Sequence, residues 1–466
     1  MYTYTENNAL TFDPRDKCLN FFARIGALRQ SLASEVKAIF KSSYLQDWEK
    51  TMKILFYGRD IRKGTGERKT FHTCLESIHN PEFIARNASN IVNAGYAKDL
   101  RRYLGIPGVS EFYAQKLRDK DGLFAKWAPR KGHDKRLLLE ALGNGVPMTN
   151  KQYRRLIVDN SMTVESGMSL KTWDKITYKS VPGMAFRKYR KAFEKHDKDR
   201  LKSFLTNKNT KMSVSSTYPH EVVSLLMEGY HNGHYNEIDT DVAVKQWSCL
   251  KNYIAEGVNP IVMCDTSGSM TMGGTGKCNA MDVAVSLGIY TSERLSGSFK
   301  DKVMTFSSSP RFHDLKDRNI VEKIDYLYGH CDWGANTDIE AAYRLILTTA
   351  TSFSVPQEHM PTHLVIISDM QWDPTWDDSL DTHHNQMEQQ FADAGYKMPS
   401  IVYWNVRDSY GLPASDSADN VAIISGYNPQ ILETVFSEDD FNPVSIMDKS
   451  IENVVVDLSV KPFEFV

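Results

Sequence analysis

The chain has 466 residues, more than one hydrophobic core ordinarily organises, so two or three domains are expected. Hydrophobic residues make up 41% and charged residues 24%, the composition of a soluble globular protein, and no stretch approaches the roughly 20 apolar residues of a membrane-spanning helix. The net charge of −2 hides a split: residues 121–211 hold 21 Lys+Arg against 9 Asp+Glu, a local +12 that the remainder offsets with −14. One region is thereby suited to a polyanion; basic helix faces turned to solvent are the alternative.

The polar, acidic N-terminus has no apolar signal core, and the six cysteines (Cys18, Cys74, Cys249, Cys264, Cys278 and Cys331) form no CxxC pair. A cytoplasmic protein with reduced thiols and no zinc site is expected.

In chain order, the first half reads as helical. Segments such as Lys17–Tyr44, Asp47–Ile61, Gly66–His79 and Pro81–Gly95 repeat apolar residues every three or four positions, with Gly, Pro or Asn between them. Helices of about 12–18 residues joined by short turns suggest an all-α array of HEAT-like repeats over residues 1–256; a compact bundle is the alternative. Within it, Gly58 to Lys69 is a basic, Gly-punctuated turn, not a Walker loop, whose backbone amides are candidates for phosphate binding. Further on, Lys126-Trp127-Ala128-Pro129-Arg130-Lys131, Trp173 to Pro182 and Phe186 to Lys191 interleave cations with aromatics. Single-stranded RNA binding needs that mixture, because cations neutralise phosphates while rings stack on bases. The candidate RNA contacts are Arg59, Arg62, Lys63, Arg68, Lys69, Lys126, Arg130, Lys131, Arg187, Lys188, Arg190 and Lys191. Taken singly, Trp173 and Tyr189 read as core residues.

Near Glu256–Pro260 the pattern changes. Residues 257–466 alternate strand candidates (Pro260–Cys264, Lys302–Leu315, Thr362–Met370, Pro399–Asp408, Asn420–Tyr427) with helix candidates, as in a doubly wound, Rossmann-like α/β domain with a mostly parallel sheet. The strand Pro260–Cys264 ends in Asp265-Thr266-Ser267-Gly268-Ser269, which turns three oxygens toward one point. Thr337 lies in a loop about 70 residues on, and Asp369 ends a strand about 30 beyond that. These are hard oxygen donors, suited to Mg²⁺ above all, with Mn²⁺ or Ca²⁺ as alternatives. If Asp265 and Asp369 only capped turns, the other oxygens would have no reason to accompany them. A phosphatase of the haloacid-dehalogenase type would want a second acid at position 267, where Ser267 stands.

Asp265 to Met270 with Thr337 and Asp369 resembles the metal-ion-dependent adhesion site (MIDAS) of von Willebrand factor A domains, over about 200 residues. The resemblance implies that Ser267, Ser269 and Thr337 hold the metal, that Asp265 and Asp369 act mostly through water, and that a partner carboxylate completes the coordination. Arg59 to Arg68, Lys126 to Arg130, Trp173 to Pro182 and Phe193 to Asp197 further resemble an uncharacterised Ro-related (TROVE-like) family. That likeness implies helical repeats closed into a ring by the A domain and, by analogy with Ro proteins, binding of structured small RNA or single-stranded ends.

The expected function is therefore Ro-like RNA binding without catalysis. A metal-dependent adaptor that captures a protein carboxylate is the alternative. A metal-dependent nuclease ranks third, because nothing places His330, His363, His383 or His384 beside the metal, and His196 and His220 read as structural. The acidic loop Gln371–Asp378 is a candidate extension of the contact surface.

Overall fold

A computed structural model describes residues 2–4, 10–12, 14–143, 145–161, 163–271, 279–306, 310–330, 339–370, 380–408, 411–437 and 440–463. A short antiparallel hairpin, β1 (Tyr2–Tyr4) and β2 (Leu10–Phe12), precedes the helices. From Lys17 to Ser248 the regular structure is helical, in α-helices of 6–14 residues with short 3₁₀ turns. These helices are shorter than the sequence suggested, since turns interrupt the longer apolar periodicities. The segment Lys17–Tyr44, for example, splits into helices Lys17–Ile25 and Ala33–Gln46. Asp16 caps the first by accepting from Cys18 N and Leu19 N.

The C-terminal sheet has six strands: β3 (Pro260–Asp265), β4 (Lys302–Phe306), β5 (Phe312–Asp314), β6 (His363–Ser368), β7 (Ser400–Asn405) and β8 (Val421–Ser425). Their order is β5-β4-β3-β6-β7-β8, parallel except for the edge strand β5. Lys302–Leu315, which looked like one strand, is thus two antiparallel ones. In order of appearance, 3-2-1-4-5-6, this is the doubly wound arrangement, which opens a crevice where the winding reverses, here between β3 and β6.

Side chains alternate between the two faces of the sheet. Ile261, Met263, Leu364, Ile366, Ile401, Tyr403, Val421 and Ile423 join a core that continues into helices of residues 17–157. Val262, Cys264, Val365, Ile367, Val402, Trp404, Ala422 and Ile424 join another, built with helix Ala280–Ser292 and residues 176–254. The helical half therefore contributes to the cores on both faces. Helix Lys17–Ile25 meets the β8 end, where Gly26 N donates to Ser425 Oγ at 2.9 Å. Arg24 pairs with Asp408 through two hydrogen bonds, at 2.8 and 3.0 Å. Residues after helix Pro443–Glu452 run back over the first helices: Asp457 exchanges hydrogen bonds with Asn87, and Phe463 stacks on Tyr44 at 4.2 Å. Among the described residues no helix is long and apolar enough to cross a membrane.

Candidate metal centre and nucleic-acid interface

The parallel register sets Cys264 of β3 beside Ile367 of β6, so the next residues, Asp265 and Ser368, come together at the carboxyl ends of the strands. Ser368 Oγ donates to Asp265 Oδ2 at 2.5 Å, and Asp265 Oδ1 accepts from Ser267 N at 2.8 Å. That second bond folds the loop back and brings Ser267 Oγ within 3.0 Å of Ser269 Oγ. Asp265 and Asp369 are buried, while the two serines are half-buried. Met370, next after Asp369, holds φ at +59°, an uncommon conformation for a side chain of this size and a form of strain that collects at functional sites.

The sequence reading missed Arg407, just past β7. Its guanidinium donates to the Ser269 carbonyl and lies 3.5 Å from Asp369 Oδ2, tying the ends of β3, β6 and β7 together. The only available signal was a cation immediately after a buried parallel strand. Thr337, the loop 371–378 and the side chains of His383 and His384 lie outside the described residues. Four of the five expected ligands thus stand at the crevice. Carboxylate and hydroxyl oxygens from adjacent strand ends fit a hard divalent cation. Of the described histidines, His363 begins β6 and so sits at the opposite end of that strand from Asp369, between Phe436 and Phe441. Burial pushes it down to about 4. His330 stacks on Tyr326, His196 stacks on Trp173, and His220 is buried against Tyr427.

The Gly-punctuated turn is not a phosphate cradle. The Asp60 carboxylate accepts from Arg62 N and Lys63 N, its carbonyl accepts from Gly64 N and Gly66 N, and Thr65 N and Glu67 N bond to Tyr57 and Gly58 carbonyls. The expectation that those amides bind phosphate is therefore corrected. Gly64 is required because a Cβ there would meet the Tyr57 carbonyl oxygen at 1.8 Å. Asn428, beyond β8, donates to the carbonyls of Arg62 and Gly64, so the turn is a docking element between helices and sheet.

Arg59 is corrected likewise. It is fully buried and binds Asp99, also fully buried, through Nε and Nη2 at 3.1 and 2.7 Å. Arg68 Nε takes the other Asp99 oxygen at 2.6 Å. These contacts, with His72, hold the Asp99 carboxyl well below the usual range against the upward push of burial. Lys69 bonds to the carbonyls of Arg29 and Ser31, and Lys126 pairs with Glu165 at 3.2 Å. Arg187 donates to the Glu221 carbonyl, and Arg190 grips Asp239, with Nη2 at 2.9 Å from Oδ2. Arg62 is exposed and bonds to the Asn93 carbonyl at 2.7 Å. Lys63, Arg130, Lys131, Lys188 and Lys191 are exposed and have no ion-pair partner among the described residues.

Two families match the chain: "Domain of unknown function (DUF2828)" over residues 5–107 and 147–257, and "Domain of unknown function (DUF7788)" over 259–460. "Uncharacterized protein L728" of Acanthamoeba polyphaga mimivirus is 27% identical over 520 residues, covering 97% of this chain and 88% of the relative. The crystal structure of the Deinococcus radiodurans RO (RSR) protein superposes with a TM-score of 0.40 at 10% identity, covering 96% of each chain.

Proposed function

We propose that the protein is a non-catalytic, Ro-like RNA-binding protein. Its helical, HEAT-like half carries the RNA along the surface of residues 121–211. Its α/β half is a von Willebrand A-type unit whose MIDAS, at Asp265, Ser267, Ser269, Thr337 and Asp369, holds a divalent cation, Mg²⁺ first. The observation that carries the RNA reading is the excess of 12 positive charges in that stretch, with Arg130, Lys131, Lys188 and Lys191 exposed and unmatched by carboxylates among the described residues. Such cations release counterions when they meet a phosphate backbone. The bound cation supplies an open coordination position for a ligand oxygen. The chain's own part there is to orient donors: Ser368 fixes Asp265, Asp265 fixes the loop bearing Ser267, and Arg407 holds the Ser269 carbonyl.

The test is binding of a labelled single-stranded RNA to the full chain across a salt series. The Lys131→Glu/Lys188→Glu/Lys191→Glu variant should bind at least tenfold more weakly, with a salt slope smaller by about 2 for three lost contacts. Equal binding by both proteins overturns the RNA reading. The second reading, a metal-dependent protein adaptor, draws on the assembled strand-end oxygens. It would be favoured if Mg²⁺-dependent capture of a carboxylate-bearing peptide survived the triple variant and disappeared in Asp265→Asn.

A further inference from the structure

A second concentration of positive charge lies in the first half, around the 3₁₀ turn Asp99–Tyr103. Its carboxylate, Asp99, is spent on Arg59, Arg68 and His72. Lys98 and Arg101 flank it without an ion pair among the described residues, and Glu76 is taken by Arg102 at 2.5 Å. Lys98 sits close enough to Arg68 and Arg101 that both cations, after the larger effect of burial, disfavour its charge. Arg130, from the Lys126–Lys131 motif, follows Trp127 by three residues and comes next after Pro129, whose carbonyl accepts from the Tyr153 hydroxyl at 2.9 Å.

Two further observations suit the cluster to an anion. Arg101 Nε is buried and has no acceptor among the described residues, although buried guanidinium N–H groups rarely go without one; Arg59 Nη1 has none either, but its guanidinium lies 4.9 Å from the Tyr96 ring centroid. Beside them stands an aromatic wall: Tyr96 and Trp127 stack at 6.4 Å with 19° between their planes, and Lys98 Nζ lies 5.0 Å from the Trp127 ring centroid. Crowded cations repel one another, and beside half-buried rings they are well suited to a phosphate whose attached base or sugar meets the rings.

We propose that Arg68, Lys98, Arg101 and Arg130 line a phosphate-binding site walled by Tyr96 and Trp127, and that its occupant is a backbone phosphate of single-stranded RNA. The choice of RNA rests on the function proposed above; the phosphate site rests on the cluster itself. Of its residues only Arg68 and Arg130 were among the sequence candidates. Lys98 and Arg101 carry no motif; the turn at Asp99 brings them beside Arg68, and the Lys98 contact with Trp127 ties them to the Lys126–Lys131 motif.

The experiment uses the full chain with two probes, a labelled 12-nucleotide single-stranded RNA and inorganic pyrophosphate. Lys98→Gln/Arg130→Gln removes charge without touching the bonds to Asp99. It should weaken RNA at least tenfold and abolish the rise in Tm that pyrophosphate gives the wild type. Lys98→Arg should stay within threefold of wild type, which separates lost charge from lost fold. Lys37→Gln/Lys316→Gln, the same charge loss at exposed positions elsewhere, should change RNA binding less than threefold. Equal weakening by the two double variants, or none by the first, overturns the site. If the wild type binds no RNA yet pyrophosphate raises its Tm, and Lys98→Gln/Arg130→Gln loses that rise, the site stands with a free phosphate as occupant and the RNA reading falls. If the wild type responds to neither probe, both fall.

Discussion

The stretch Arg59–Lys69 and the helix Gly183–His196 each contain five Lys or Arg, and each turns some to solvent and some inward by different means. In the helix, Phe186 and Phe193 stand seven residues apart, two helical turns, and bury one stripe; Lys188 and Lys191 are left facing water. Arg59 is the last residue of helix Trp48–Arg59 and Lys69 the first of helix Lys69–Leu75, and the turn between them has no periodic stripe to orient it. Its path is set by Asn428 and by close packing of Gly426 against Thr65, and Arg59 and Arg68 are drawn inward onto Asp99. Periodicity therefore tells that Lys188 and Lys191 meet solvent, whereas distant partners decide for Arg59 at its helix end, for Arg68 beyond the turn and for Arg190 on the flank of its helix.

The sharpest way to break this contrast is Arg59→Ala. Removing one partner of a fully buried pair should cost about 3–5 kcal/mol in urea unfolding, since Asp99 would keep a buried charge with less compensation. A loss under about 1 kcal/mol would show that the turn is as tolerant as the surface helix. Next comes Gly426→Ala. At φ +108° and with a Cβ 2.8 Å from Thr65 Cβ, it should lose about 1–3 kcal/mol, partly recovered by adding Thr65→Gly.

A smaller effect is expected in the pH profile. Burial lowers the His72 pKa despite Asp99, so its stabilising contribution is complete above the unfolded value of about 6.5 and is lost as pH falls. The Asp99 carboxyl is depressed too, so its contribution holds above about 4 and is lost below it. Unfolding midpoints should therefore decline gently below pH 6.5 and steeply below 4. His363 and His220, which burial also lowers, add to the decline below 6.5, so His72→Gln should make that phase shallower and leave the steep one; an unchanged profile would contradict the buried network. Smallest of all, Lys188→Ala and Lys191→Ala should each stay within about 0.5 kcal/mol of wild type in stability.

Much of the α/β half was legible because doubly buried strands are short apolar runs and the candidate oxygens stand at their ends. Asp265, Ser267, Ser269 and Asp369 were found this way. Arg407 was not, because its role depends on β7 lying next to β6, which no local pattern encodes. In the helical half the existence of helices was legible, but their breaks were not. Gly26 ends the first helix where its amide meets Ser425, about 400 residues away in the chain. The inward fate of Arg59 needed Asp99, 40 positions on and itself unremarkable in sequence.

The strap of residues 454–463 has a consequence for synthesis. Asn87 bonds to Asp457, 370 residues later, and Tyr44 stacks on Phe463. At roughly 5–20 residues per second, the first helices wait on the order of 20–80 s after emerging from the ribosome before those partners exist. During that interval Tyr44 and the surface around Asn87 are uncovered.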